Sequence, residues 1–272
     1  MRAAFSRHAY VGMMTTMVLA LAAVPACTRA PEQAGGTGAT PAASSAPGPA
    51  PRTLWGEPDL SGIWEGGLNA RTHNLQVLEG LYRPEVMAEM RKQGEADDPL
   101  LRCVPYGIPR AYLSVPWPRQ IVQAPGVVVI LTEYYHAYRV IPTDGSPHPE
   151  GIYPSYFGNS VGRWEGDTLV VDVIAFNGKT WLSDRDKPTP ESAGVWWTSD
   201  QLHVVERWRR VDAETLEYQA IIDDPKLLTG TWTTPKALFK PSPKGTILGE
   251  GMCFDTTTYD LAQEKRDNTA AP

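Results

Sequence analysis

Basic charge is in deficit. The 25 Lys and Arg residues face 31 Asp and Glu, for a net charge of −6. Phosphate binding draws on a basic surplus, so nucleic acid is excluded as the main partner. Long hydrophobic runs are also missing: the apolar stretch from Val11 to Val24 falls short of the about 20 residues a membrane span needs. There is no Walker loop and no dinucleotide fingerprint, and no cofactor is expected. Only three Cys occur, with no close pair to build a closed metal centre. Phenylalanine is scarce, five residues against nine Trp and eleven Tyr. Such rings pack while keeping a polar edge, which suits barrels and pockets as well as cores. What remains, 42% hydrophobic and 21% charged residues over 272 positions, suffices for one large domain or two small ones with a real core.

Residues 1–27 contain no Asp or Glu. Arg2 and Arg7 precede the apolar run, and Val24-Pro25-Ala26 precede Cys27. This is the charged region, apolar region and small-residue cleavage site of a signal peptide or lipoprotein signal. Cys27 is the lipidation candidate, and the expected location is the periplasm or an outer-membrane anchor. The segment holds two of the basic residues and no acid, so its removal leaves −8. Residues 28–52, rich in Ala, Pro, Gly and Ser, read as a disordered linker. Residues 53–265 read as one domain and 266–272 as a tail. Cys103 and Cys253 remain. An oxidising compartment favours their pairing over two buried thiols, with roughly 2–4 kcal/mol of stabilisation from so long a loop.

Within the domain, Leu60–Trp64 reads as a first strand. Arg83 to Gln93 reads as the one clear helix, with Pro84 in its first turn and Gly94 after it. Asp98 to Pro118 is a Pro-rich extended insertion. From Gln120 onward the pattern is β: strands meet at Ala124-Pro125-Gly126, at Gly166-Asp167 and at Asp212-Ala213-Glu214. A last strand is expected near Gly230–Phe239, and another near Thr246–Phe254. Many short strands with tight turns predict an all-β fold, an antiparallel up-and-down barrel with one short helix.

Gly162-Arg163-Trp164-Glu165-Gly166-Asp167-Thr168-Leu169-Val170-Val171-Asp172 resembles a family of secreted bacterial proteins of uncharacterised activity. So do Cys103-x-Pro-x-Gly-x-Pro-Arg110, Glu133-Tyr134-Tyr135-His136, Thr143-Asp144-Gly145 and Leu202–Arg207. The resemblance spans most of residues 98–225 and implies export but no reaction. The chain departs from the pattern between Lys187 and Thr198, which is longer and lacks a His. A looser resemblance, resting on Gly62-x-Trp64 at the first strand and the β meander after it, is to lipocalin-like barrels.

Chemistry is sought on the stretch Val127–Ile141. Strict alternation along one strand places Glu133, Tyr135 and Arg139 on one face. A carboxylate and a guanidinium in the interior need partners, and Glu206 and Arg207 are the candidates. Two readings stay open: a structural ion-pair network, or a carboxylate tuned for proton transfer, with Glu133, His136, Arg139 and Glu206 as catalytic candidates. Tyr135, Trp164, Trp181, Trp196, Trp197, His203 and Arg207 are candidates to line a ligand cavity, with Trp196-Trp197 as a lid. A metal is not expected. The leading expectation is a barrel binding a small, mostly apolar or amphipathic molecule in its interior. The alternative is an acid–base isomerase, lyase or hydrolase using Glu133.

Overall fold

The computed structural model describes residues 48–67, 75–94, 97–113, 117–183, 195–249, 251 and 253. The expected signal segment with Cys27, most of the expected linker and the expected tail lie outside the described residues.

The described residues form twelve strands: β1 (Gly62–Gly67), β2 (Arg119–Ala124), β3 (Val127–Thr132), β4 (Tyr138–Pro142), β5 (Asn159–Glu165), β6 (Thr168–Ile174), β7 (Trp181–Ser183), β8 (Trp196–Trp197), β9 (His203–Asp212), β10 (Thr215–Asp223), β11 (Trp232–Thr233) and β12 (Ala237–Pro241). Helical pieces are α1 (Leu75–Glu79), α2 (Pro84–Met90), a 3₁₀ turn at Pro99–Arg102 and α3 (Arg110–Leu113). The expected helix forms as α2; α1 precedes it, and the Pro-rich insertion coils locally into the 3₁₀ turn and α3. Pro99 opens the 3₁₀ turn, and the Asp98 carboxylate accepts from Leu100 N as its cap. The strand expected at Thr246–Phe254 is not formed by the described residues 246–249.

The sheet runs β4-β3-β2-β1-β12-β10-β9-β6-β5, with β11 added beside β10 and a separate β7–β8 pair. Apart from these short additions and the meeting of β1 with β12, the first and last strands, neighbours in the sheet are neighbours in the chain, so this is an up-and-down, nearly closed antiparallel barrel. Alternation makes the wall. On β9, Val204, Glu206 and Trp208 are buried while His203, Val205 and Arg207 are partly exposed. Gly126 and Gly166 take φ of 76° and 59° in the β2–β3 and β5–β6 turns, where a side chain would strain the backbone.

Nine strands cannot alternate in direction all the way round. The eight pairings along this order are all antiparallel, which leaves β4 and β5 running the same way. They are spatial neighbours without a ladder, and the chain needs residues 143–158 to return between them. This seam is closed by side chains. Arg139 on β4 donates from Nη2 to Ser160 Oγ on β5 at 2.7 Å. Gly162 admits the approach: a Cβ there would lie 2.9 Å from Ile141 and Thr143 side-chain carbons.

The interior is filled. Trp64, Tyr112, Trp208, Tyr218 and Phe239 are almost wholly buried, with Val128, Ile130, Leu169 and Val171 among them. Tyr112 enters from α3 and packs edge-on against Trp208 and Tyr218 at 4.9 and 5.3 Å. At one end Gly48–Asp59 is laid across the turns, with Gly48 O accepting from Ala213 N and Arg52 paired to Asp167. The last residues assigned to the linker are thus bonded to the barrel.

Candidate functional site

The stretch Val127–Ile141 is a hairpin, not one strand. β3 pairs β4 with Ile130 opposite Arg139 and Leu131 opposite Tyr138. Residues 133–137 form the turn, with Tyr135 and His136 at φ of 62° and 49°. The turn resets the alternation. Arg139 therefore faces inward with Ile130, while Glu133 lies outside the barrel and its Oε2 accepts from Gly249 N at 2.9 Å. His136 is exposed at the turn. The four catalytic candidates are thus split: Arg139 and Glu206 meet in the interior, and Glu133 and His136 do not join them.

Glu206 was the right partner for Arg139. Their bonds are bidentate, 3.1 and 2.6 Å, and Tyr218 OH donates to Glu206 Oε1 at 3.0 Å. Arg139 Nη1 also donates to Tyr112 OH at 3.2 Å. Burial pulls the guanidinium down, but Glu206 and Tyr112 outweigh it and its pKa is raised. Burial raises the phenols of Tyr112 and Tyr218. The network is fully internal, joining α3, β4, β5, β9 and β10, so it acts as a bolt through the barrel.

The outer wall holds a second cluster. His203 Nε2 and His148 Nε2 lie 2.7 and 3.0 Å from the two Asp172 oxygens, and His148 Nδ1 lies 2.6 Å from Asn159 Oδ1. Burial opposes the Asp172 charge, yet the hydrogen bonds from His203 and His148 prevail and its pKa is lowered. His148 belongs to the segment that crosses between β4 and β5, so the cluster ties that crossing to the wall. Arg207 is also outside, paired to Glu165.

The tryptophans are mostly structural. Trp181 and Trp196 are buried where β7 pairs β8. Trp197 is held by its Nε1 donating to Gln93 and its carbonyl accepting from Tyr82 OH. The Trp196-Trp197 pair is therefore packed against the α2 region and is no lid. Trp164 is half-buried against the core.

The concave site lies at the barrel end opposite the Gly48–Asp59 segment. A narrow cleft is lined by Pro105, Tyr106, Ala111, Trp117, Arg119, Thr132, Tyr134, Tyr135 and Phe157. Of the ligand-lining candidates, Tyr135 alone is in it. Tyr134 stacks on Trp117 with centroids 5.8 Å apart and planes 8° from parallel. It meets Tyr106 at 5.1 Å and Tyr135 edge-on at 4.4 Å. Tyr135 OH donates to Leu100 O at 2.9 Å, and burial pushes its phenol up, with Tyr134 adding to the shift. Arg119 forms the cationic part of the lining. It donates to Trp117 O and lies 4.3 Å from the Phe239 ring, and burial pulls it down to about 10. The space inside is narrow, with room for about one water.

Cys103 and Cys253 form a disulfide across 150 residues, with Cα atoms 5.6 Å apart. It sits beside the cleft, where Cys253 Sγ lies 3.3 Å from Tyr135 OH. The cleft escaped the sequence because its rings come from the insertion, the β3–β4 turn and Phe157 before β5. The doublet Tyr134-Tyr135 in a turn without Gly was the signal available. No family model, no curated protein and no solved structure matches the chain.

Proposed function

We propose that this protein is an exported barrel that binds a small, mostly apolar molecule with one polar end, at the aromatic end cleft and not in the interior. The observation that carries the reading is the convergence of five aromatic rings from three chain segments on one concave site. Ligand sites are mostly apolar and aromatic with a few placed polar groups. Here Tyr106, Trp117, Tyr134 and Phe157 offer the apolar wall, while Thr132, Arg119 and the phenols offer polar atoms. As it stands the cleft admits about one water, so a compound of one or two rings enters only as its aromatic walls part. Cleavage of residues 1–26 would leave Cys27 to hold the barrel at a membrane through a lipid, in the periplasm or on the outer membrane. The resemblance carried by residues 162–172 supports export and adds no reaction.

The test uses 6-fluoro-2-naphthoate, a two-ring carboxylate followed by ¹⁹F line broadening. Binding is expected, and Tyr134→Ala and Trp117→Ala should each weaken it roughly tenfold or more. Equal affinity in both variants would move the site elsewhere.

A further inference from the structure

The end cleft is fastened shut from outside by the C-terminal stretch. Gly249 N donates to Glu133 Oε2. Gly251 bridges to Tyr134 in parallel fashion. Cys253 is tied to Cys103 and touches Tyr135 OH. These three residues meet three successive residues of the β3–β4 turn. Two of the latter, Tyr134 and Tyr135, are walls of the cleft.

The turn so clasped is strained. Tyr135 and His136 are both left-handed non-glycine residues, a conformation that costs of order 1–3 kcal/mol each and persists only where the surroundings impose it. The cleft behind it admits about one water, so a two-ring molecule enters only if Tyr134 and Tyr135 move outward. Outward is where Gly249, Gly251 and Cys253 stand. A Cβ on Gly251 would lie 2.8 Å from the Glu133 carbonyl oxygen, so stretch and turn are in direct backbone contact.

We propose that the Cys103–Cys253 disulfide is a redox latch on the cleft: oxidised it holds the turn in, and reduction frees the turn and raises ligand affinity. This rests on the end cleft being the binding site. The reductant is a dithiol. Its thiolate attacks one cystine sulfur and displaces the other as a thiolate. Its second thiol then resolves the mixed disulfide, leaving two cysteine thiols and the reductant as its own disulfide. Both cysteines are only partly buried and open to such attack.

The experiment titrates 6-fluoro-2-naphthoate into the mature protein, oxidised and then treated with dithiothreitol, with thiols counted and far-UV circular dichroism recorded. The reduced protein should bind about 5- to 150-fold more tightly, the range of typical coupling between sites. Cys103→Ser/Cys253→Ser should match it and ignore dithiothreitol. Gly251→Val, which keeps the disulfide but pushes the stretch off the turn, should also bind more tightly. Equal or weaker binding by the folded reduced protein overturns the latch and leaves the cleft standing. If reduction unfolds the protein, Gly251→Val decides by the same comparison. Binding in no form overturns the cleft itself.

Discussion

Two arginines are equally hidden in this barrel and behave in opposite ways. Arg139, in the middle, has a carboxylate at 2.6 Å and a raised pKa. Arg119, at the cleft, lies over the rings of Phe239 and Tyr112, donates to a carbonyl, and is pulled down to about 10. Burial penalises both guanidiniums; at Arg139 the Glu206 carboxylate and Tyr112 outweigh it, while at Arg119 burial prevails. The pair at Arg139 is spent on holding the barrel closed where β4 and β5 share no ladder. Arg119 lines the aromatic cleft, whose rings come from three separate segments. Depth alone therefore does not tell a structural charge from one placed at a binding surface; the surroundings do.

The largest expected effect breaks the first arginine. Arg139→Met strands Glu206 in the core and should cost about 3–5 kcal/mol, read as a fall in denaturant midpoint. Adding Glu206→Leu should recover much of this, since an apolar pair replaces an ionic one at little cost. If the double variant is no better than the single, the ion pair is not the bolt.

Gly162→Val tests the same seam without touching charge. Its side chain would drive into Ile141 and Thr143, and overpacking of this kind costs typically 1–3 kcal/mol. Unchanged thermal stability would mean that β4 and β5 separate freely.

The second arginine should matter less to the fold. Arg119→Met removes a hydrogen bond to the Trp117 carbonyl and contacts with the Phe239 and Tyr112 rings; it should lower the denaturant midpoint less than Arg139→Met, yet weaken naphthoate binding. A loss as large as that of Arg139→Met would erase the contrast between them.

The smallest effect is at the outer wall. Asp172 has a depressed pKa in the folded state, so its contribution is present above the unfolded Asp value near 4 and fades as pH falls through the lower folded value. Solvent screening limits it to about 0.5–1 kcal/mol. Asp172→Asn should flatten the acid limb of a stability–pH curve, and an unchanged limb would assign that limb to other carboxylates.

Much of the fold was legible because hairpins carry local signals. Gly166-Asp167 and Asp212-Ala213-Glu214 mark turns that form where expected, each joining a paired hairpin. The partnership of Arg139 with Glu206 followed from the cost of burying either alone. The turn at residues 133–137 was illegible, since it has neither Gly nor Pro and relies on left-handed Tyr135 and His136. That one missed turn moved Glu133 from the inside to the outside. A filled interior was illegible for a different reason. Its plug, α3, is four residues long and lies inside a Pro-rich stretch, where helix propensity gives no warning. The cleft, assembled from distant segments, has no local pattern at all.

The most direct measurement is a ¹⁵N-edited spectrum of the tryptophan indole N–H signals during titration with 6-fluoro-2-naphthoate at saturating concentration. Binding at the end cleft predicts that the Trp117 indole shifts progressively while those of Trp64 and Trp208 stay in place. Movement of the Trp64 and Trp208 signals with Trp117 unchanged would put the ligand in the barrel interior and contradict the end-cleft site.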